Sequence, residues 1–128
     1  MNDLRNIAVL GATGSIGKSA LDVIAAYQDR FRVFALTAGS NVEKLAQLAS
    51  VWRPYIIGIA DESRYNALVG RLKELGINDV SVVAGEEACA AIAAEPQVDT
   101  VIQSVVGAAG VRPSFEAAKA GKKLLLAN

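Results

Sequence analysis

Apolar residues along this chain gather into short, nearly unbroken runs, separated by stretches in which they recur every three or four positions. Ile7-Ala-Val-Leu10, Phe31-Arg-Val-Phe-Ala-Leu-Thr-Ala38, Tyr55-Ile-Ile-Gly-Ile-Ala60, Val80-Ser-Val-Val-Ala84, the segment from Val98 to Val105 and Lys122-Lys-Leu-Leu-Leu-Ala127 are the runs. Each has the length of one strand and is rich in β-formers. Between them the pattern predicts helices. The first runs from Ser15 to about Gln28, with Ile16, Ala20, Val23, Ile24 and Tyr27 at helical spacing, and the second from Val42 to about Val51. A third is headed by Asp61 and carries Ala67, Leu68, Leu72 and Leu75. An alanine-rich helix follows Gly85 and must stop before Pro96, and a last one covers roughly Pro113 to Ala120. Ser15 and Asn41 are placed to cap the first two helices, and Gly76 and Gly121 supply helix stops.

Strands whose apolar runs are continuous rather than alternating are buried on both faces, which requires a parallel sheet covered by helices on each side. Right-handed crossovers then favour an α/β, Rossmann-like, doubly wound and mostly parallel six-stranded sheet, with ligands beyond the carboxyl ends of the strands. No linker, charge block or low-complexity tract interrupts residues 1–128, so the chain reads as one domain. Asn128 falls at a strand-to-loop junction, where a second wall of such a crevice should begin. The expectation is a fragment of a longer protein.

The chemistry concentrates where the first run meets Gly11-Ala-Thr-Gly-Ser-Ile-Gly17. Glycines at this spacing, between a strand and a helix, suit a dinucleotide clamp: Gly11 for the tight turn, Gly14 for close approach of the main chain to a pyrophosphate, Gly17 for helix–sheet packing. A Gly-rich turn without a ligand is the plainer alternative. In NAD-specific clamps an acid after the second strand holds the ribose 2′-hydroxyl. Gly39-Ser40-Asn41 stands there instead and contains no acid, which favours NADP, although a plain turn with an Asn41 cap explains the same residues. Small residues from Val105 to Gly110 suit either a nicotinamide ring against the sheet edge or simple helix packing.

Bulk properties narrow this further. Thirteen basic and thirteen acidic residues cancel, so no global field attracts nucleic acid or an anionic membrane. No apolar stretch approaches the roughly 20 residues of a membrane helix. Histidine is absent, leaving Lys, Asp, Glu or Tyr for acid–base work. The single cysteine, Cys89, permits no intrachain disulfide and reads as a small core residue, consistent with a reduced, cytoplasmic protein. Trp52 reads as packing.

Four blocks, Gly11 to Gly17 with Leu21-Asp22-Val23, Ala35-Leu-Thr-Ala-Gly-Ser-Asn41, Val105-Val-Gly-Ala-Ala-Gly110, and Ala120-Gly-Lys-Lys-Leu-Leu-Leu-Ala-Asn128, occur in an order and at separations that resemble the NADPH-binding domain of the 1-deoxy-D-xylulose 5-phosphate reductoisomerase family. The resemblance implies that Thr13, Gly14, Ser15 and Ile16 form the pyrophosphate loop, that Gly39, Ser40 and Asn41 hold the 2′-phosphate, and that Asn128 touches the nicotinamide half. Many family members carry a basic residue where this chain has Ser40, a lack that Lys44 can partly offset. The resemblance further implies a homodimer acting on a small phosphosugar in isoprenoid synthesis with Mg²⁺ or Mn²⁺, whose ligands lie outside this stretch, as do the catalytic residues. Other NADP-linked enzymes that open with Gly-Ala-Thr-Gly, such as semialdehyde dehydrogenases, and a non-catalytic nucleotide sensor are the alternatives.

Overall fold

The computed structural model of the chain describes residues 4–105 and 107–126. Strand β1 (Arg5–Leu10) leads into helix α1 (Ser15–Ala25), β2 (Phe31–Ala38), α2 (Val42–Trp52) and β3 (Ile56–Ile59). A 3-10 turn at Glu62–Arg64 opens α3 (Tyr65–Glu74), followed by β4 (Ser81–Ala84), α4 (Glu86–Ile92) and β5 (Thr100–Gln103). A second 3-10 turn, Gly107–Gly110, precedes α5 (Val111–Lys119) and β6 (Lys123–Leu126). The six strands form one sheet in the order β4-β3-β2-β1-β5-β6, and every pairing is parallel. The chain thus builds outward from β1 to β4, then returns to the other side of β1. That reversal places a topological switch between β1 and β5, where open α/β sheets bind their ligands.

Strand periodicity explains the unbroken apolar runs. Ile7 and Val9 face α1, α2 and α3, in a layer that buries Leu21, Ile24, Leu45, Ala49, Leu68 and Leu72. Ala8 and Leu10, pointing the other way, join Phe34, Val101, Ile92, Ala93 and Ala117 under α4 and α5. Both faces of β1 are therefore core. β2 carries one residue more than its partner between Ile7 and Ala8, which pair with Val33 and Ala35. The intervening Phe34 stacks on Tyr55, with ring centroids 5.1 Å apart.

Several sequence expectations need correction. Ser15 is the first residue of α1 rather than its cap, because Gly14 takes the cap position. Val23 and Tyr27 face water at 60% and 46% exposure, so the buried stripe of α1 narrows to Gly17, Leu21 and Ile24. α1 ends at Ala25, short of Gln28. α5 begins at Val111, two residues before Pro113, which sits in the first turn where its missing N–H costs nothing. Trp52 packs half-buried against the α1–α3 layer, as expected.

Candidate functional site

The turn after β1 is shaped by three demands on its glycines. Gly11 has φ +76°, a left-handed conformation that side chains disfavour. At Gly17 an added Cβ would lie 2.5 Å from the Gly11 carbonyl oxygen and 2.7 Å from Ala12 Cα, so this glycine lets α1 rest on the turn itself. Gly14 is different. Its φ is −81°, and an added Cβ would meet only the Gly11 oxygen, at 3.7 Å. Neither backbone conformation nor packing within the chain requires a glycine there.

Neighbouring strands fix this turn from both sides. The Gly11 N–H donates to Thr37 Oγ1 at 3.0 Å, and the Ala12 N–H donates to the Thr37 carbonyl at 2.7 Å. From β5's end, the Ser104 hydroxyl donates to the Leu10 carbonyl at 2.7 Å, with the Gly11 carbonyl 3.0 Å away. Lys44 Nζ reaches across from α2 and donates to the Thr13 carbonyl at 3.3 Å. The first N–H groups of α1 are left without a side-chain cap, and its first turn holds no acid. A helix start of this kind presents free donors and a positive dipole end to an anion.

Gly39, Ser40 and Asn41 are exposed at the end of β2. Asn41 Oδ1 accepts from the Lys44 N–H at 3.0 Å, so the side chain caps α2. Its amide nitrogen is a donor, so the cap uses only the oxygen. The only acid in the first turn of α2, Glu43, is engaged by Arg71, whose Nε donates to both carboxylate oxygens at 3.0 and 3.1 Å. That contact raises the Arg71 guanidinium above its ordinary value. Asp61 lies beside this segment through its N–H, which donates to the Gly39 carbonyl at 2.9 Å. Its carboxylate turns to Ser63, accepting from the hydroxyl at 2.6 Å and the amide at 3.0 Å, and those bonds hold it below the usual carboxylate range.

A cavity of about 400 Å³ opens along the same carboxyl edge, on the α4–α5 side, with Leu10, Thr37, Gly39, Ala60, Cys89 and Arg112 among its lining. Arg112 at its rim pairs with Glu87 at 3.4 Å and Glu116 at 3.7 Å. Burial, and secondarily Glu86, pushes the Cys89 thiol up to about 11, so it stays protonated at neutral pH. Gly58 makes room for it: a Cβ there would come within 2.8 Å of Sγ. Cys89 is thus packing, as the sequence suggests, and not a nucleophile.

Buried Gln103, the last residue of β5, organises the turn that follows. Its Nε2 donates to the Val105 carbonyl at 3.1 Å, to the Gly110 carbonyl at 3.2 Å and to Ser114 Oγ at 3.3 Å, while its Oε1 accepts from the Val105 N–H. Gln103, Thr37 and Ser104 escape sequence reasoning. A polar residue ending an apolar run was the available signal.

The structure therefore brings Thr13, Gly14, Ser15 and Ile16 to the same edge as Gly39, Ser40 and Asn41, with Lys44 between the two groups. Asn128 lies outside the described residues. Among the described residues no group of three or more His, Cys, Asp or Glu side chains could hold a metal ion, and no helix is long and apolar enough to cross a membrane. A glycine that the fold does not need stands next to a helix start without a side-chain cap, an arrangement that can receive an anion.

A reductoisomerase from Xanthomonas oryzae pv. oryzae is 50% identical over 127 residues, 99% of this chain and 32% of the relative; one from Methylococcus capsulatus is 44% identical over 125 residues, 98% of this chain and 32% of the relative. The chain spans about a third of the length of these curated relatives. Among solved structures, a DOX-P reductoisomerase in complex with NADPH, fosmidomycin and magnesium superposes with a TM-score of 0.92 at 42% identity, covering 98% of this chain and 30% of that one. The Zymomonas mobilis enzyme in complex with NADPH gives 0.88 at 40% identity, covering 98% and 32%. The family model for 1-deoxy-D-xylulose 5-phosphate reductoisomerase matches residues 7–128, and the chain belongs to that family.

Proposed function

We propose that this chain is the NADPH-binding domain of an enzyme that rearranges 1-deoxy-D-xylulose 5-phosphate and reduces the product to 2-C-methyl-D-erythritol 4-phosphate in non-mevalonate isoprenoid synthesis. One observation carries the coenzyme part: α1 starts without a side-chain cap or an acid, beside a Gly14 that the fold itself does not require. In this reading Thr13, Gly14, Ser15 and Ile16 hold the pyrophosphate with main-chain N–H groups and the positive end of α1. Gly39, Ser40 and Asn41 receive the 2′-phosphate, and Asn128 lies against the nicotinamide half. Thr37 and Ser104 keep the glycine turn in shape, and Gln103 does the same for the turn after β5.

Bound NADPH supplies the hydride; the chain's part is to bind and orient it. The Mg²⁺ or Mn²⁺ that the family reading brings has no candidate ligand cluster among the described residues, so no role for a metal follows from them. A cytoplasmic homodimer and a phosphosugar substrate complete the proposal for the whole protein.

Calorimetric titration of the chain with NADPH and NADH tests the coenzyme reading. NADPH is expected to bind at least about tenfold more tightly, since Ser40 and Asn41 offer donors and no carboxylate where the 2′-phosphate would sit. Equal affinities overturn it. In a protein of the relatives' full length, metal-dependent loss of NADPH absorbance on adding the xylulose phosphate is expected, and its absence overturns the assigned reaction.

A further inference from the structure

Resting on the coenzyme reading above, we infer that Lys44 is the cation of the 2′-phosphate seat, held ready by its bond to the Thr13 carbonyl, and that it ties the two anion seats into one. The position ahead of Asn41 is neutral Ser40, so the seat's own three residues contribute donors but no full positive charge. A 2′-phosphate carries close to two negative charges, and two helix starts offset only about half a charge each.

Lys44 is the nearest basic residue along the chain, one turn into α2, where its N–H is anchored on Asn41 Oδ1 at 3.0 Å. Its side chain then crosses to the turn after β1 and places Nζ 3.3 Å from the Thr13 carbonyl oxygen, 31 residues away in sequence. An ammonium has three N–H donors, and that carbonyl takes one. Among the described residues Lys44 forms no ion pair: Glu43 next to it is committed to Arg71, and the remaining bridges involve other residues. An exposed cation with two donors to spare, fixed between the loop that cradles a pyrophosphate and the segment that receives a 2′-phosphate, is placed to read the charge that separates NADP from NAD.

The test compares Lys44→Met, which keeps the stem and removes the charge, with Lys44→Arg, which keeps the charge. Both are titrated with NADPH and NADH at two salt concentrations, after checking that their melting temperatures match the parent's. Lys44→Met is expected to weaken NADPH at least about tenfold, to change NADH less than about twofold, and to flatten the salt dependence of NADPH binding. Lys44→Arg is expected to retain the NADPH preference. If Lys44→Met weakens both coenzymes equally, the lysine only braces the Thr13 turn and the assignment of the cation is overturned; unchanged NADPH affinity overturns the whole inference. Failure of the parent chain itself to bind NADPH removes the coenzyme reading underneath, and is thereby distinguished from failure of the lysine's role.

Discussion

At the scale of single residues, Asn41 caps α2 with its side-chain oxygen, which leaves the proposed coenzyme contact to its amide nitrogen. Aspartate caps a helix as well as asparagine does, so Asn41→Asp is expected to change stability by less than about 0.5 kcal/mol. The same substitution replaces a donor with a negative charge and is expected to weaken NADPH by about 1–3 kcal/mol while sparing NADH. Thermal melts and paired calorimetric titrations check both halves; an unchanged NADPH dissociation constant removes Asn41 from the pocket. Thr37 and Ser104 show what a sequence hides at this scale. Each puts a hydroxyl one residue before the end of an apolar run, but only the sheet order reveals that both hydroxyls converge on the turn after β1.

At the scale of the element, the contact between α1 and its own turn leaves no room for a side chain at Gly17. Gly17→Ala would drive a Cβ into backbone at 2.5 to 2.8 Å, which no rotamer change can relieve. The helix must lift off the turn, and a loss on the order of 2–4 kcal/mol is expected in denaturant unfolding. Gly14→Ala finds open space at an ordinary φ, so stability should hold within about 1 kcal/mol. Its methyl group instead occupies the surface where the pyrophosphate would approach, and NADPH affinity should fall. If Gly14→Ala leaves NADPH binding intact, the coenzyme does not lie on this turn. The spacing of the motif was legible in the sequence, and so were the turn at Gly11 and the close packing at Gly17. The start of α1 was not, because Ser15 and Gly14 both satisfy cap statistics and only geometry chooses between them.

At the scale of the whole molecule, alternating strands and helices, the parallel sheet and the helices on both faces all followed from unbroken apolar runs. What the runs did not carry was the width of each buried stripe: Val23 and Tyr27 recur at helical spacing and still face water, since α1 meets the sheet only along Gly17, Leu21 and Ile24. Stability against pH also belongs to this scale. With no histidine in the chain, no side chain has an ordinary value in the middle of the range. Cys89 is the exception at the alkaline end. Its folded value is raised to about 11 from 9.0, so between those values the unfolded chain gives up a proton that the folded chain retains. Stability from this group is intact below pH 9 and is lost as pH rises toward 11. Unfolding free energies measured across that window should decline more steeply for the parent than for Cys89→Ala, and identical slopes would refute the shift.

The strand order has a temporal consequence as well. β1 pairs with β2 on one side, but its other flank belongs to β5, and the tie from the Asn6 N–H to Asp99 spans 93 residues. A polypeptide leaving the ribosome must therefore keep that flank of β1 unsatisfied until β5 has emerged, because closing so distant a loop is slow. During that interval a bare ladder of amides and carbonyls is offered to whatever passes, and a chaperone that shields nascent strands would find its earliest foothold there.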